Sequence, residues 1–195
     1  MSYAVRTPIM TREEFFPWAE AQDARYEFDG FAPVLMTGGT RRHSRINQNM
    51  YRAIGNRLSG PQYELLGPDA GVATIGQTVR YPDAVISSTR TPGDAHLMLG
   101  VVAVFEVISP TSGRIDRIVK LREYRAVPSI RRYVILEHAS AALTVFSRAE
   151  GTLDWTATAL TTDDTLDMPE IGVAVPVMEF YDAVDFPADS AGLAE

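Results

Sequence analysis

The chain has 195 residues, 46% of them hydrophobic and 22% charged, with no cysteine. That is enough to bury a core and too apolar for wholesale disorder, and a disulfide-stapled miniature is excluded. The formal charge of −7 divides unevenly, because residues 1–149 carry 18 bases and 14 acids while residues 150–195 carry 11 acids and no base.

The predicted elements alternate between helical and extended patterns. Thr11 with Glu13 and Glu14 reads as an N-cap opening a short helix through Phe15, Trp18 and Ala19. Arg25 to Gly30, followed by Phe31 to Met36, predicts a hairpin turning at Asp29-Gly30. Thr37 to Thr40 breaks it. Ile46, Met50, Ile54 and Leu58 recur at steps of four and predict an amphipathic helix from Arg41 to Leu58. Short extended pieces follow at Tyr63–Leu66, Gly71–Ile75, Thr78–Tyr81 and Asp83–Ile86.

Val101 to Ile108 is a nearly continuous apolar run, the pattern of a strand buried on both faces. Ser109 to Gly113 ends it, a helix is predicted from Arg114 to Ala126, and Val127-Pro128 stops that helix. Arg132–Glu137 is a second buried strand with a hairpin partner at Leu143–Ser147. Strand, helix and strand in this order predict a parallel pair joined by a crossover. Weaker strands at Trp155–Leu160 and Gly172–Val175 precede a short terminal helix, and 187–195 reads as a flexible C-terminal tail. The expectation is one α/β domain over 1–186, a mixed central sheet with flanking helices. No run of 18 apolar residues predicts a membrane-spanning helix, and Met1 to Arg6 lacks a signal-peptide pattern, so a cytoplasmic protein is expected.

Glu106 sits inside the most apolar segment. A carboxylate there costs several kcal/mol unless it is paired, protonated or metal-bound; otherwise it points to solvent at the strand's carboxyl end. It lies roughly 10 Å back from Ser109 along the strand, and Lys120 lies roughly 9 Å into the returning helix, so the two come level. Lys120 is also the single lysine among 17 arginines. Asp116, Lys120, Glu123 and Tyr124 share one helix face, a spacing that equally describes a surface pair of Asp116 with Lys120. Asp83, after Pro82, opens a neighbouring apolar strand. Two carboxylates on adjacent strands suit a hard divalent ion such as Mg²⁺.

Pro82-Asp83, the run Glu106 to Pro110, then Asp116, Lys120 and Tyr124 resemble the Uma-type restriction endonuclease family of the PD-(D/E)XK nuclease superfamily. Arg25-Tyr26-Glu27, Gly30, Met36 and His43 are similar to that family's opening. The resemblance implies a restriction-endonuclease-like fold and Mg²⁺- or Mn²⁺-dependent hydrolysis of phosphodiester bonds in DNA. Carried onto this chain, Asp83 and Glu106 would be metal ligands with the Val107 carbonyl as a third, and Glu27 would reach the metal through water. The superfamily's lysine two places after the Glu is Ile108 here, so the resemblance moves that role to Lys120. Lysine can shift its pKa to handle a water, whereas arginine stays protonated. His43, Asp116 and Tyr124 would support the site, structurally or catalytically.

Residues 40–63 carry Arg41, Arg42, Arg45, Arg52 and Arg57 with no acid, and 114–132 carries seven bases, Arg117 among them, against two acids. Arg41, Arg42, Arg45 and Arg117 are the candidate DNA-phosphate contacts, or else these are solvated faces. A homodimer would match a two-fold duplex. The competing expectations are a non-catalytic nuclease-fold module that binds DNA or protein, and a metabolite phosphohydrolase using the same carboxylates.

Overall fold

The structure, a computed structural model, describes residues 9–108 and 114–186, with side chains for 9–108 and 117–186. The expected loop at 109–113 and the tail at 187–195 lie outside the described residues. Helix α1 (Arg12–Glu20) starts at Thr11, whose hydroxyl accepts from Glu14 N–H while the Glu14 carboxylate accepts from Thr11 N–H, a reciprocal cap. Strands β1 (Tyr26–Phe28) and β2 (Pro33–Leu35) form the expected antiparallel hairpin. Its loop is held by the Asp29 side chain, which accepts from the N–H groups of Phe31 and Ala32, and Gly30 supplies the left-handed turn residue at φ 87°.

Helix α2 (Arg41–Gly55) is followed by β3 (Glu64–Leu66), β4 (Val72–Ala73), β5 (Val79–Arg80), β6 (Ala84–Ser87) and β7 (Val101–Ile108). Then come α3 (Arg114–Arg125), β8 (Arg132–Glu137), β9 (Leu143–Ser147), β10 (Thr156–Leu160), β11 (Thr165–Met168), β12 (Val173–Pro176) and α4 (Val177–Phe180). The central sheet has the order β10-β9-β8-β7-β6-β3, and within it β7 and β8 are the parallel pair that α3 connects. A second sheet, β2-β1-β5-β4, carries the hairpin. Helix α2 ends three residues before the expected Leu58, at Gly55 with Asn56 as its C-cap, because glycine and asparagine are poor helix interiors.

Period-two alternation along β7 divides the core. Ala103, Phe105 and Val107 pack with Ile46, Met50 and Ile54 of α2, and Leu166, Met168, Val173, Val175 and Phe180 extend this layer. Val104 and Ile108 face the other way, toward Tyr124 of α3 and Tyr133 and Ile135 of β8. Glu106 therefore falls on the α3 face by alternation alone. Ile46 is fully buried in the first layer. Ile46→Val removes one methylene there and is expected to cost about 1 kcal/mol in urea unfolding at unchanged slope.

Strand β11 is the element without a sequence counterpart. It pairs antiparallel with β12 in a two-stranded sheet and buries Leu166 and Met168 on one face. No helix among the described residues is long and apolar enough to cross a membrane.

Candidate active site

The site forms where β6 and β7 begin to part. Their antiparallel register sets Ala84 against Phe105. One step further along the same register Asp83 faces Glu106, so both side chains stand on one face of the sheet. A cavity of about 960 Å³ opens there, and Asp83, Glu106, Val107, Lys120 and His43 all line it.

Asp83 is held from three directions. Its Oδ2 accepts the Val107 N–H at 2.8 Å and lies 3.2 Å from His43 Nε2, and its Oδ1 accepts from Asn47 Nδ2 at 3.0 Å. Its backbone carbonyl accepts the Tyr51 hydroxyl. His43, Asn47 and Tyr51 follow one another at steps of four on α2, so one row of that helix grips one aspartate. Burial works against ionising Asp83. The bonds from His43, Val107 and Asn47 outweigh it and hold the carboxyl below its ordinary range. The same bond to Asp83 raises the His43 pKa against the opposing effect of burial.

The His43 ring is also placed from below. Thr40 caps α2 by accepting the His43 N–H, and Thr40 Oγ1 lies 2.8 Å from His138 Nε2. Gly39 passes so close that a Cβ there would stand 2.6 Å from His43 Nδ1. Gly39→Ala is expected to push the ring off Asp83 and to cost about 1–3 kcal/mol as an overpacked contact, read by urea unfolding.

Glu106 is 4% exposed, buried in the sheet at the wall of the cavity. Its Oε2 accepts from Lys120 Nζ at 2.9 Å and its Oε1 accepts from the Tyr124 hydroxyl at 2.7 Å. Lys120 Nζ also lies 3.7 Å from Glu27 Oε1. Burial pushes the Glu106 carboxyl up, with Lys120 and Tyr124 opposing it, and burial beside Glu106 pushes the Tyr124 hydroxyl well up. Ile108, where the superfamily's lysine would stand, is 3% exposed, packs in the apolar layer of α3 and brings no charge to the rim of the cavity that it lines. Asp116 lies on α3 but outside the described side chains.

Beyond these residues runs a second buried group. Arg80 on β5 donates through Nε and Nη2 to both oxygens of Glu123, at 2.6 and 2.7 Å, and through Nη1 to Glu27 Oε2 at 3.0 Å. Among the described residues no three His, Cys, Asp or Glu side chains converge on a metal position. Asp83 and Glu106 are hard oxygen donors beside an open cavity. That donor set fits Mg²⁺, which keeps several waters, and does not fit a closed structural metal.

Residues 12–177 match the model of the Uma2 family, described as a "putative restriction endonuclease". The chain belongs to the Uma2 family. Two uncharacterized Synechocystis proteins are relatives of it. The protein slr1290 is 25% identical over 182 residues, covering 92% of this chain and 95% of that protein. The protein sll1609 is 21% identical over 141 residues, covering 70% and 80%. A crystal structure from Anabaena variabilis, titled a "putative nuclease belonging to DUF820", superposes with a TM-score of 0.69 at 12% identity. It covers 89% of this chain and 98% of its own, so the two share a fold.

In this Uma2 chain the arginines of α2, with Arg57 just beyond its C-cap, meet the acidic final quarter. Arg57 pairs with Glu179, Arg52 with Asp182 and Arg41 with Asp185, a ladder running the length of the helix. Arg42 donates to the Asp185 and His138 carbonyls and lies 5.8 Å from the Phe186 ring centroid. Arg45 lines a smaller cleft of about 320 Å³ with Arg41, Arg42 and Asp185, which shares Thr40 and His138 with the main cavity. Arg117 gives its fork to Glu137, at 2.7 and 2.6 Å. Asn47, Tyr51 and Arg80 are the site residues that sequence reasoning missed, and Glu123 was placed on the Lys120 face without a role. The step of four from His43 marks the first two. For Arg80 the signal was a charge between Val79 and Tyr81, the same kind of signal that singled out Glu106.

Proposed function

We propose that this Uma2 chain is a divalent-metal-dependent endonuclease that hydrolyses phosphodiester bonds in DNA. The observation that carries the proposal is the 2.9 Å contact of Lys120 Nζ with Glu106, beside a cavity that Asp83 also lines. Asp83, Glu106 and the Val107 carbonyl would hold Mg²⁺ or Mn²⁺. Such an ion, when bound, lowers the pKa of a water and stabilises charge on the phosphate.

The chain's own residues supply the rest. Asp83 is kept anionic by His43, Asn47 and the Val107 N–H, ready to act as a donor. Lys120 reaches the cavity with its ammonium steadied by Glu106, where it orients the attacking water and offsets charge building on the phosphate. Tyr124 fixes the other Glu106 oxygen. The smaller cleft of Arg41, Arg42 and Arg45 continues from the cavity and offers phosphates a path. Arg117 contacts a phosphate only by leaving Glu137, so α2 leads in this role.

Supercoiled plasmid incubated with Mg²⁺, Mn²⁺ or EDTA tests the reading. Nicking is expected with either metal and none with EDTA. Cleavage that ignores metal, or that survives Lys120→Ala, would overturn it. Salt-sensitive binding without cleavage, indifferent to Asp83→Ala, would indicate the non-catalytic module, and turnover of nucleotides alone would indicate a phosphohydrolase. Light scattering checks the homodimer, expected at twice the 21.5 kDa chain mass.

A further inference from the structure

We propose that Arg80 is a positioning residue for Lys120, acting through Glu27 and Glu123; the proposal deepens the nuclease reading and gives Glu27 a different task. Arg80 is 8% exposed, and a buried guanidinium persists only where its donors are met. Its planar fork closes on both Glu123 oxygens, and its remaining end nitrogen donates to Glu27 Oε2. Glu123 stands three residues from Lys120 on α3, and Glu27 stands on β1. One side chain thus ties the second sheet to the helix that carries the lysine.

The consequence falls on Glu27. With Oε2 fixed by Arg80, its Oε1 accepts the Tyr81 N–H at 3.2 Å and faces Lys120 Nζ at 3.7 Å. Glu123, Arg80, Glu27, Lys120 and Glu106 then alternate in sign along a buried line, three carboxylates to two cations. Lysine carries four rotatable bonds and points nowhere by itself. A carboxylate on each side confines it. Were Glu106 to give an oxygen to a cation, Glu27 would still draw the ammonium toward the site, because Arg80 and the Tyr81 N–H keep Glu27 from swinging. Lysine at position 80 would bring a single point charge where a fork and a third donor are needed. Glu27 is in this account the holder of Lys120, not a ligand that reaches the metal through water.

The experiment uses the chain's single lysine, since labelling with ¹³C,¹⁵N-lysine yields one side-chain signal. The variants are Arg80→Gln and the charge-conserving pair Arg80→Met with Glu123→Leu, which is read in its place if the single change does not fold. Arg132→Gln is the control, because it breaks a comparable buried pair with Glu170 that shares no partner with this line. Without substrate or metal, the Lys120 signal is expected to move and broaden in both Arg80 variants and to stay in place in the control. In plasmid cleavage, turnover is expected to fall about 10–100-fold in the Arg80 variants, with KM changed far less. A Lys120 signal unmoved by either Arg80 variant overturns the proposal, as does turnover that falls no further than in Arg132→Gln. The lysine signal needs no catalysis, so a chain that never cleaved DNA would still report whether Arg80 holds Lys120.

Discussion

Lys120→Ala is expected to abolish metal-dependent cleavage, a loss of about 10²–10⁴ in turnover for a group that orients or exchanges protons with the attacking water. Lys120→Arg is expected not to restore it. The guanidinium stays protonated and cannot exchange a proton with the attacking water as an amine can. The same change bears on stability. Glu106 is buried and its carboxyl is already pushed up by burial. Without the ammonium it takes up a proton or remains an uncompensated charge, at about 3–5 kcal/mol for breaking one side of a buried pair. The double variant Lys120→Met with Glu106→Gln removes both charges and is expected to recover most of that loss while staying inactive. Thermal unfolding and plasmid nicking, measured on the same three proteins, separate the two effects; equal stability of the single and double variants would refute the pairing argument.

Asp83→Asn is expected to be as damaging to cleavage, and its stability effect carries a pH signature. The folded His43 pKa lies above its ordinary 6.5, so its contribution is full below 6.5 and is lost as pH rises through the folded value. The folded Asp83 pKa lies below its ordinary 3.8, so its contribution is present above 3.8 and is lost as pH falls through the folded value. Metal-free wild type should therefore exceed Asp83→Asn most between those two ordinary values, with the gap narrowing on either side. Urea unfolding in EDTA from pH 3 to pH 9 reads it. A gap that widens steadily toward alkaline pH would show that the His43–Asp83 bond is not its source.

Much of the central sheet was legible because burial on both faces leaves a continuous apolar run. Val101–Ile108, Arg132–Glu137 and Leu143–Ser147 are strands with the boundaries read from composition. Glu106 and Lys120 were legible for a related reason, since the rises of strand and helix place side chains at equal depth without knowledge of the sheet order. Strand β11 was not, because Thr165–Met168 has four residues and includes an acid on its exposed face. Arg80 and Glu123 were also hidden. Their pairing joins residues 43 apart in sequence, so neither the charge within β5 nor the acid on the Lys120 face names its partner. The arginines of α2 looked unopposed because their acids lie more than 120 residues away.

The ladder along α2 changes how this chain meets a polyanion. Glu179, Asp182 and Asp185 sit on the basic helix, so a duplex approaching from a distance encounters a body of net charge −7. Repulsion governs the far field, whereas attraction acts only within contact range of Arg42 and Arg45. Below about 0.01 M salt the field reaches roughly 30 Å and slows encounter, while near 1 M it reaches roughly 3 Å and the phosphate contacts themselves are screened. For the proposed DNA substrate, association is expected to be fastest at intermediate ionic strength, a bell-shaped profile in place of the monotonic decline of a basic binder, which binding rates measured across a salt series would check. On the proposed reading, the acids that close the domain would act as an ionic-strength filter on encounter.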